Sequence, residues 1–154
     1  MRGEIGLNTI ARLIAEHLTY SPDALLRTMK LGCTRLRENA AVKKLAANLK
    51  KQGIPIALVT ANFDVFSEVV VPAHRYDELF DVIINSSDYG TTDKRQLWPI
   101  AFARMGSELG YHNTLLIEDG DKEPQVFRDC GGKAIQYVGD DQLRKELVWY
   151  SFVR

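Results

Sequence analysis

The stretch that decides the fold is Gly53-Ile54-Pro55-Ile56-Ala57-Leu58-Val59-Thr60. Before Gly53 the apolar residues recur at helical spacing, and here the pattern changes to a short, almost wholly apolar run. Such a run predicts a β-strand that is covered on both faces. Pro55 is compatible with this prediction because it stands near the start of the strand.

Strands and helices alternate along the chain after Gly53. Three further apolar runs predict strands at Val82–Asn85, Thr114–Ile117 and Lys133–Val138. Helical spacing predicts a helix at Phe63–Val70 that stops before Pro72, a helix that ends at Gly110, and a helix at Pro124–Cys130. Pro99 stands inside the second of these helices, so its regular part either begins there or is kinked. The alternation predicts an α/β fold with a parallel sheet, right-handed crossovers and helices on both faces.

The residues before Gly53 predict helices only. A first helical face contains Ile10, Leu13, Ile14, His17 and Leu18. A second helix begins at Ser21-Pro22-Asp23, which supplies an N-cap, a first-turn proline and an early acidic group. A third helix runs from about Asn39 to Gln52, with Gly53 as its stop. At the other end of the chain, Leu143, Leu147 and Val148 share one face of a last helix.

The composition limits the classes of partner. The chain has 154 residues, the length of one domain, and its 20 basic and 20 acidic residues give a formal net charge of +0. This balance provides no overall field for nucleic acid or an anionic membrane, so we expect neither partner. No apolar run approaches the ~20 residues that cross a bilayer, and the first residues do not resemble a signal peptide. With Cys33 and Cys130 expected to be buried, reduced thiols, we expect a cytoplasmic protein.

Three features at strand ends suggest a ligand site, because parallel sheets bind ligands beyond the carboxyl ends of their strands. Thr60 is followed by Ala61-Asn62, a turn whose hydroxyl and N–H groups are able to hold a phosphate oxygen. Lys94 begins a helix, where its ammonium is able to neutralise a phosphoryl group. Glu118-Asp119 ends the third strand and offers the oxygen ligands that Mg²⁺ prefers. Taken singly, Thr60 is more simply a helix cap and Lys94 a solvated lysine, whereas the acidic pair is about equally consistent with a surface turn.

The order of these features resembles motifs two, three and four of the haloacid dehalogenase (HAD) superfamily of phosphatase-like proteins. The resemblance is found in Ala57–Asn62, Phe80–Gly90, Leu115–Gly120 and the glycine turn Gly131–Ile135, and it covers about residues 39 to 138. It implies a Rossmann-like, HAD-like core at residues 39–154. The helices at residues 1–38 look like the rear part of the helical cap of that family.

The resemblance also implies roles for individual residues. Thr60 would bind a phosphoryl oxygen, helped by the backbone of Ala61 and Asn62, and Lys94 would neutralise the phosphate. Asp119 would help to hold Mg²⁺, with Glu118 as a direct or indirect partner. These roles imply a small phosphorylated ligand and follow the logic of phosphoryl transfer, in which positioning and charge neutralisation do most of the work.

The first motif of the family, an apolar strand ending Asp-x-Asp, has no match in the chain. Its first Asp is the nucleophile that forms an aspartyl-phosphate. Asp64 and Asp88 lie near the expected site in sequence, but neither is in the setting of that nucleophile. We therefore expect the chain not to catalyse the usual reaction of the family, and we expect Mg²⁺ to lack one of its ligands.

The missing strand would lie between the strands that end at Thr60 and Asp119, and unpaired backbone groups there are costly. Three arrangements would cover these groups. The two flanking strands pair directly with each other, the tail at Val148–Val153 enters the sheet as a strand, or another chain covers the gap. The alternative for the tail is that it continues the last helix. We expect a homodimer because a trimmed sheet leaves apolar surface to hide.

Two hypotheses remain: a phosphate-ester hydrolase that is active in a longer form, and a dimeric binding protein without chemistry. Neither defines the substrate.

Overall fold

The computed structural model of the protein describes residues 3–149. The chain divides into two compact units, Met1–Ala101 and Phe102–Arg154. The structure is an α/β fold that is mostly helical, and its first three helices precede the first strand. The expected boundary between a helical segment at residues 1–38 and a core at residues 39–154 falls between two helices of the first unit and stays a prediction.

The first unit contains two strands, β1 (Ala57–Thr60) and β2 (Val82–Asn85). Its helices are α1 (Leu7–Ala15), α2 (Pro22–Thr34), α3 (Ala40–Lys51), α4 (Val71–His74), α5 (Tyr76–Leu79) and the first part of α6 (Lys94–Met105). A π-helix at Phe66–Val70 precedes α4, and a 3₁₀ turn at Ser86–Asp88 follows β2.

The predicted local cap sets the start of α2, and local signals also set the start and the end of α3. The Ser21 hydroxyl accepts a hydrogen bond from the Ala24 amide at 3.1 Å and caps α2. The Asn39 side chain accepts from two amides of the first turn of α3. Gly53 follows α3 with a φ of 70°, a conformation that glycine adopts without steric cost. The sequence therefore locates both helix starts and the end of α3.

Helix α1 turns the predicted apolar face outward. Its buried residues are Leu7, Ala11 and Ala15, whereas Leu13 is 48% exposed and Ile14 is 38% exposed. The helix ends at Ala15, before two residues of the predicted face. The small side chains of Ala11 and Ala15 allow the backbone of α1 to approach the residues that it packs on. Leu13 and Ile14 are left on the other side of the helix.

Strands β1 and β2 pair in parallel, with Thr60 opposite Asn85. β2 is largely buried, but every residue of β1 is only half-buried, so the prediction of a strand covered on both faces is wrong for β1. β1 also begins later than predicted. Pro55 has no N–H, and the backbone of the next residue, Ile56, pairs with Asp81 instead of continuing the ladder.

Pro72 does not stop the helix that follows β1. The chain passes from the π-helix at Phe66–Val70 directly into α4, and Pro72 stands in the first turn of α4. A first-turn residue needs no intrahelical N–H bond, so proline is tolerated there. The stop comes at Arg75, whose φ of 55° places it in the left-handed region. The predicted end before Pro72 is therefore wrong.

The second unit contains β3 (Leu115–Glu118) and β4 (Lys133–Gln136), which also pair in parallel. A 3₁₀ turn at Tyr111–Asn113 precedes β3, α7 (Glu123–Asp129) joins the strands, and α8 (Asp140–Trp149) follows. Every residue of β3 is half-buried, like every residue of β1. The core of this unit contains three aromatic rings in edge-to-face contact, those of Phe102, Tyr111 and Phe127.

Each described sheet has two strands, β1 with β2 and β3 with β4, in place of the one continuous parallel sheet that we expected. Direct pairing of the strand ending at Thr60 with the strand ending at Glu118-Asp119 is not found among residues 3–149. The described part of the tail, up to Trp149, is helical, and the rest of the segment that we considered as a strand lies outside the described residues.

Two helix predictions in the last third of the chain need correction. Helix α6 ends at Met105 instead of Gly110, and Gly106 follows it without the left-handed conformation of a typical C-terminal glycine. It begins at Lys94, so Pro99 lies inside it and does not mark its start. In α8, Leu147 is buried as predicted, but Val148 is 67% exposed.

Candidate functional site

The predicted phosphate-binding residues lie at the carboxyl end of β1, beside the carboxyl end of β2. Thr60 is the last residue of β1, and Ala61 and Asn62 form the turn after it; all three are half-buried. The Asn62 side chain donates a hydrogen bond to Thr60 Oγ1 at 2.8 Å. Because Thr60 accepts this bond, its own hydroxyl hydrogen is left to donate to another group.

A buried polar network that the sequence analysis missed fixes this turn. Asn85 at the end of β2 is 0% exposed, and its Oδ1 accepts from the Asn62 amide at 3.2 Å. Its Nδ2 donates to the Phe63 carbonyl and to Ser67 Oγ, both at 3.0 Å. Ser86, also 0% exposed, donates from Oγ to the Asn62 carbonyl at 3.2 Å. The signal available in the sequence was an amide residue closing an apolar strand.

This network changes which groups of the turn are able to hold an anion. The Asn62 amide, which the resemblance implied as a phosphate donor, is already bonded to Asn85. The Asn62 amide is therefore occupied, whereas the described contacts leave the Thr60 hydroxyl hydrogen to donate. Lys94 begins α6 as predicted and is half-buried.

The start of α6 already holds a carboxylate. Asp93 Oδ1 accepts from the Arg95 amide at 3.0 Å, and Arg95 Nη2 donates to Asp93 Oδ2 at 2.7 Å. The side-chain hydrogen bond from Arg95, helped by its backbone amide, holds the pKa of Asp93 below the usual range. The Arg95 amide in the first turn of α6 is thus occupied by a carboxylate of the chain itself.

The two carboxylates close to this end of the first sheet are engaged in structural bonds. Asp64 accepts from the Leu7 amide at 3.0 and 3.1 Å and caps α1. Asp88 accepts from Ser67 at 3.3 Å and from Ser87 at 3.2 Å. A nucleophilic carboxylate must keep an oxygen directed at the reacting phosphorus. Both oxygens of Asp64 accept hydrogen bonds from the Leu7 amide, so Asp64 is poorly suited to that role.

The predicted acidic pair belongs to the second unit. Glu118 ends β3 and is half-buried, and Asp119 follows it and is exposed. Glu118 Oε1 accepts from the Gly120 amide at 3.3 Å, which turns this carboxylate back on its own loop. Asp121, two residues after Asp119, accepts a hydrogen bond from the Gln136 side chain at 3.1 Å.

These carboxylates do not form a metal cluster. Among residues 3–149, no group of three or more His, Cys, Asp or Glu side chains is arranged to hold a metal ion. Mg²⁺ is usually bound through one or two carboxylates together with water and substrate phosphate. Asp119 with Glu118 would supply two such carboxylates, and their magnesium role stays a prediction.

Comparison of the chain with known protein families and with curated proteins finds no match. The described helices include none that is long and apolar enough to cross a membrane.

Proposed function

We propose that this chain is a HAD-like protein with a truncated, Rossmann-like core, which binds phosphate or a small phosphorylated ligand at the carboxyl end of β1 without cleaving it. The order of elements supports the resemblance: β1 ends at Thr60, α6 begins at Lys94, and β3 ends at Glu118. In this proposal the Thr60 hydroxyl donates to a phosphate oxygen and Lys94 neutralises its charge.

The observation that supports binding without cleavage is the engagement of Asp64. Both oxygens of this carboxylate accept from the Leu7 amide, and Oδ1 also accepts from the Val65 amide at 2.9 Å. A carboxylate held by two amides is a weak nucleophile, because attack on phosphorus would break the cap of α1. Without a nucleophile, positioning and charge neutralisation produce binding instead of turnover.

Two measurements test this proposal. Titration with inorganic phosphate, followed by the backbone amide resonances of the turn, should give saturable shifts that weaken in Thr60→Val and Lys94→Ala. A phosphatase assay with Mg²⁺ and an aryl phosphate should show no turnover above background for the chain, Lys94→Ala or Asp119→Ala. Turnover that disappears in both variants would show that another group supplies the nucleophile. Phosphate-induced shifts that are identical in the parent chain, Thr60→Val and Lys94→Ala would contradict the proposed binding site.

A second candidate function is magnesium-dependent phosphate-ester hydrolysis in a longer form of the protein. The half-buried state of every residue of β1 and of β3 favours it, because each strand has an edge on which a further strand is able to pair. The test is the sequence upstream of Met1: an in-frame apolar strand ending Asp-x-Asp, and turnover by the extended chain, would establish this function.

We further propose a homodimer, since several large apolar side chains of the first unit are exposed, among them Leu31 at 51% and Leu36 at 50%. Light scattering at several protein concentrations tests this: a mass of twice 17.4 kDa supports the dimer, and 17.4 kDa at all concentrations contradicts it.

A further inference from the structure

The first unit contains an open groove beside α1. Its volume is about 610 Å³, within the range of about 300–1,000 Å³ that small-molecule sites occupy. The groove is lined mainly by large apolar side chains, those of Ile5, Ile10, Leu13, Ile14 and Phe63. The two polar residues of the lining are Glu4 and Thr92.

One wall of this groove is held by hydrogen bonds and close packing. The Leu7 amide donates to both oxygens of Asp64, which fixes the start of α1. Gly6 packs on the same carboxylate so closely that an added Cβ would lie 2.3 Å from Oδ2. Gly3 packs equally closely on the Ser87 carbonyl. The segment that presents Glu4 and Ile5 to the groove is therefore fixed at both ends.

The backbone around Phe63 and Thr92, which also line the groove, is held by hydrogen bonds. The Phe63 carbonyl accepts from the buried Asn85 side chain, which fixes the backbone that presents the Phe63 ring. Next to Thr92, the Thr91 hydroxyl accepts from the Asp93 amide at 3.1 Å and closes a tight turn. A site whose walls are already ordered loses little conformational entropy when a ligand binds.

The lining leaves apolar surface uncovered. Ile5 and Leu13 are each 48% exposed, Ile14 is 38% exposed and Phe63 is 37% exposed. Burying such surface is favourable at roughly 25 cal/mol per Å². An aromatic ring or a branched alkyl group has the size and chemistry to cover these four side chains.

The polar groups of the lining select the other end of the ligand. Glu4 is the charged residue among the seven that line the groove. A carboxylate beside an apolar surface attracts an ammonium group and repels an anion. Thr92 adds a hydroxyl that is able to accept a hydrogen bond from the same group.

We propose that this groove binds a small apolar amine, that is, one aromatic or branched alkyl group that bears an ammonium. The site is distinct from the phosphate site proposed at Thr60 and does not depend on it, because neither Thr60 nor Lys94 lines the groove. The protein would then bind an amine and a phosphate through different residues of the first unit.

Three probes of similar shape test the proposal: 2-phenylethylamine, 2-phenylethanol and 3-phenylpropanoate. Each is titrated into protein with ¹³C-labelled isoleucine and leucine methyl groups. The amine should shift the Ile5, Leu13 and Ile14 methyl resonances saturably. The alcohol should bind about two- to five-fold more weakly, the effect of losing one exposed ion pair, and the carboxylate more weakly still.

Variants separate the charge from the apolar surface. Glu4→Gln should weaken the amine about two- to five-fold and leave the alcohol unchanged. Glu16→Gln, an exposed glutamate at the end of α1 and outside the groove, is the matched control and should change neither. Leu13→Asn should weaken all three probes. Equal binding of carboxylate and amine, or the absence of saturable methyl shifts with the amine, would overturn the proposal. A loss of preference in Glu16→Gln as large as in Glu4→Gln would also overturn it.

Discussion

Replacing Asn85 with alanine is expected to lower the free energy of unfolding by about 2–4 kcal/mol. The side chain is 0% exposed and takes part in three hydrogen bonds, with the Asn62 amide, the Phe63 carbonyl and Ser67 Oγ. Each bond contributes about 1 kcal/mol net, which gives about 3 kcal/mol for the three. Backbone groups left buried without a partner raise the cost, and water that enters the space lowers it.

Urea unfolding, followed by both circular dichroism and fluorescence, measures this loss. With a slope of about 2 kcal/mol per M, a loss of about 3 kcal/mol moves the midpoint down by about 1.5 M. The control is Asn48→Ala, at an exposed position within α3, where alanine is the better helix former and stability should stay equal or rise slightly. A change in Asn85→Ala below about 0.5 kcal/mol, the size of an ordinary surface effect, would refute the role of this network.

Two further predictions concern packing and charge. Gly132→Ala should cost about 1–3 kcal/mol in thermal unfolding, because its Cβ would lie 2.2 Å from the ring of Phe127, which is 2% exposed. Gly32→Ala, a helical position with no atom within 4 Å of the added Cβ, should instead stabilise by about 0.5–1 kcal/mol; equal losses in both would contradict the argument. Glu38 has a pKa lowered from 4.5, chiefly by the hydrogen bond from Lys43. The stabilisation by Glu38 should therefore be present above pH 4.5 and be lost as the pH falls through the lowered pKa. Unfolding of Glu38→Gln and the parent chain at a series of pH values checks this, and a gap between them that stays constant into acid would contradict it.

Local chemistry made the start of α2 and both ends of α3 predictable. The caps at Ser21 and Asn39 and the glycine at Gly53 act within four residues of the helix ends that they set. Signals of this kind can be found in a single sequence because cause and effect are neighbours. The same reasoning failed at Pro72, where the chain continues from the π-helix at Phe66–Val70 directly into α4.

The pairing of strands could not be predicted in the same way. Apolar runs located all four strands to within a few residues, but a run does not show which edge is paired. β1 and β3 satisfy the pattern of covered strands and are nevertheless half-buried throughout. The number of strands in a sheet depends on contacts between distant segments, which periodicity does not report.

The residues of the candidate site also differ in whether a local sequence signal identifies them. Thr60 and Lys94 were identified from the ends of elements, and they do end β1 and begin α6. Asn85 was not identified, because its importance comes from being buried beside a turn 22 or 23 residues earlier. The phosphate and metal roles of the predicted residues were inferred from the resemblance and stay predictions.

The cap of α1 has a consequence for synthesis. The residue before this helix, Gly6, offers no side chain, and the Leu7 amide is instead satisfied by a carboxylate that comes 57 residues later in the chain. At about 5–20 residues per second, a ribosome needs about 3–11 s to translate that distance. During this interval the nascent α1 lacks its cap, although α2, on which it packs, follows it directly in the chain. The earliest helix to be made is therefore among the elements that must wait for a later part of the chain.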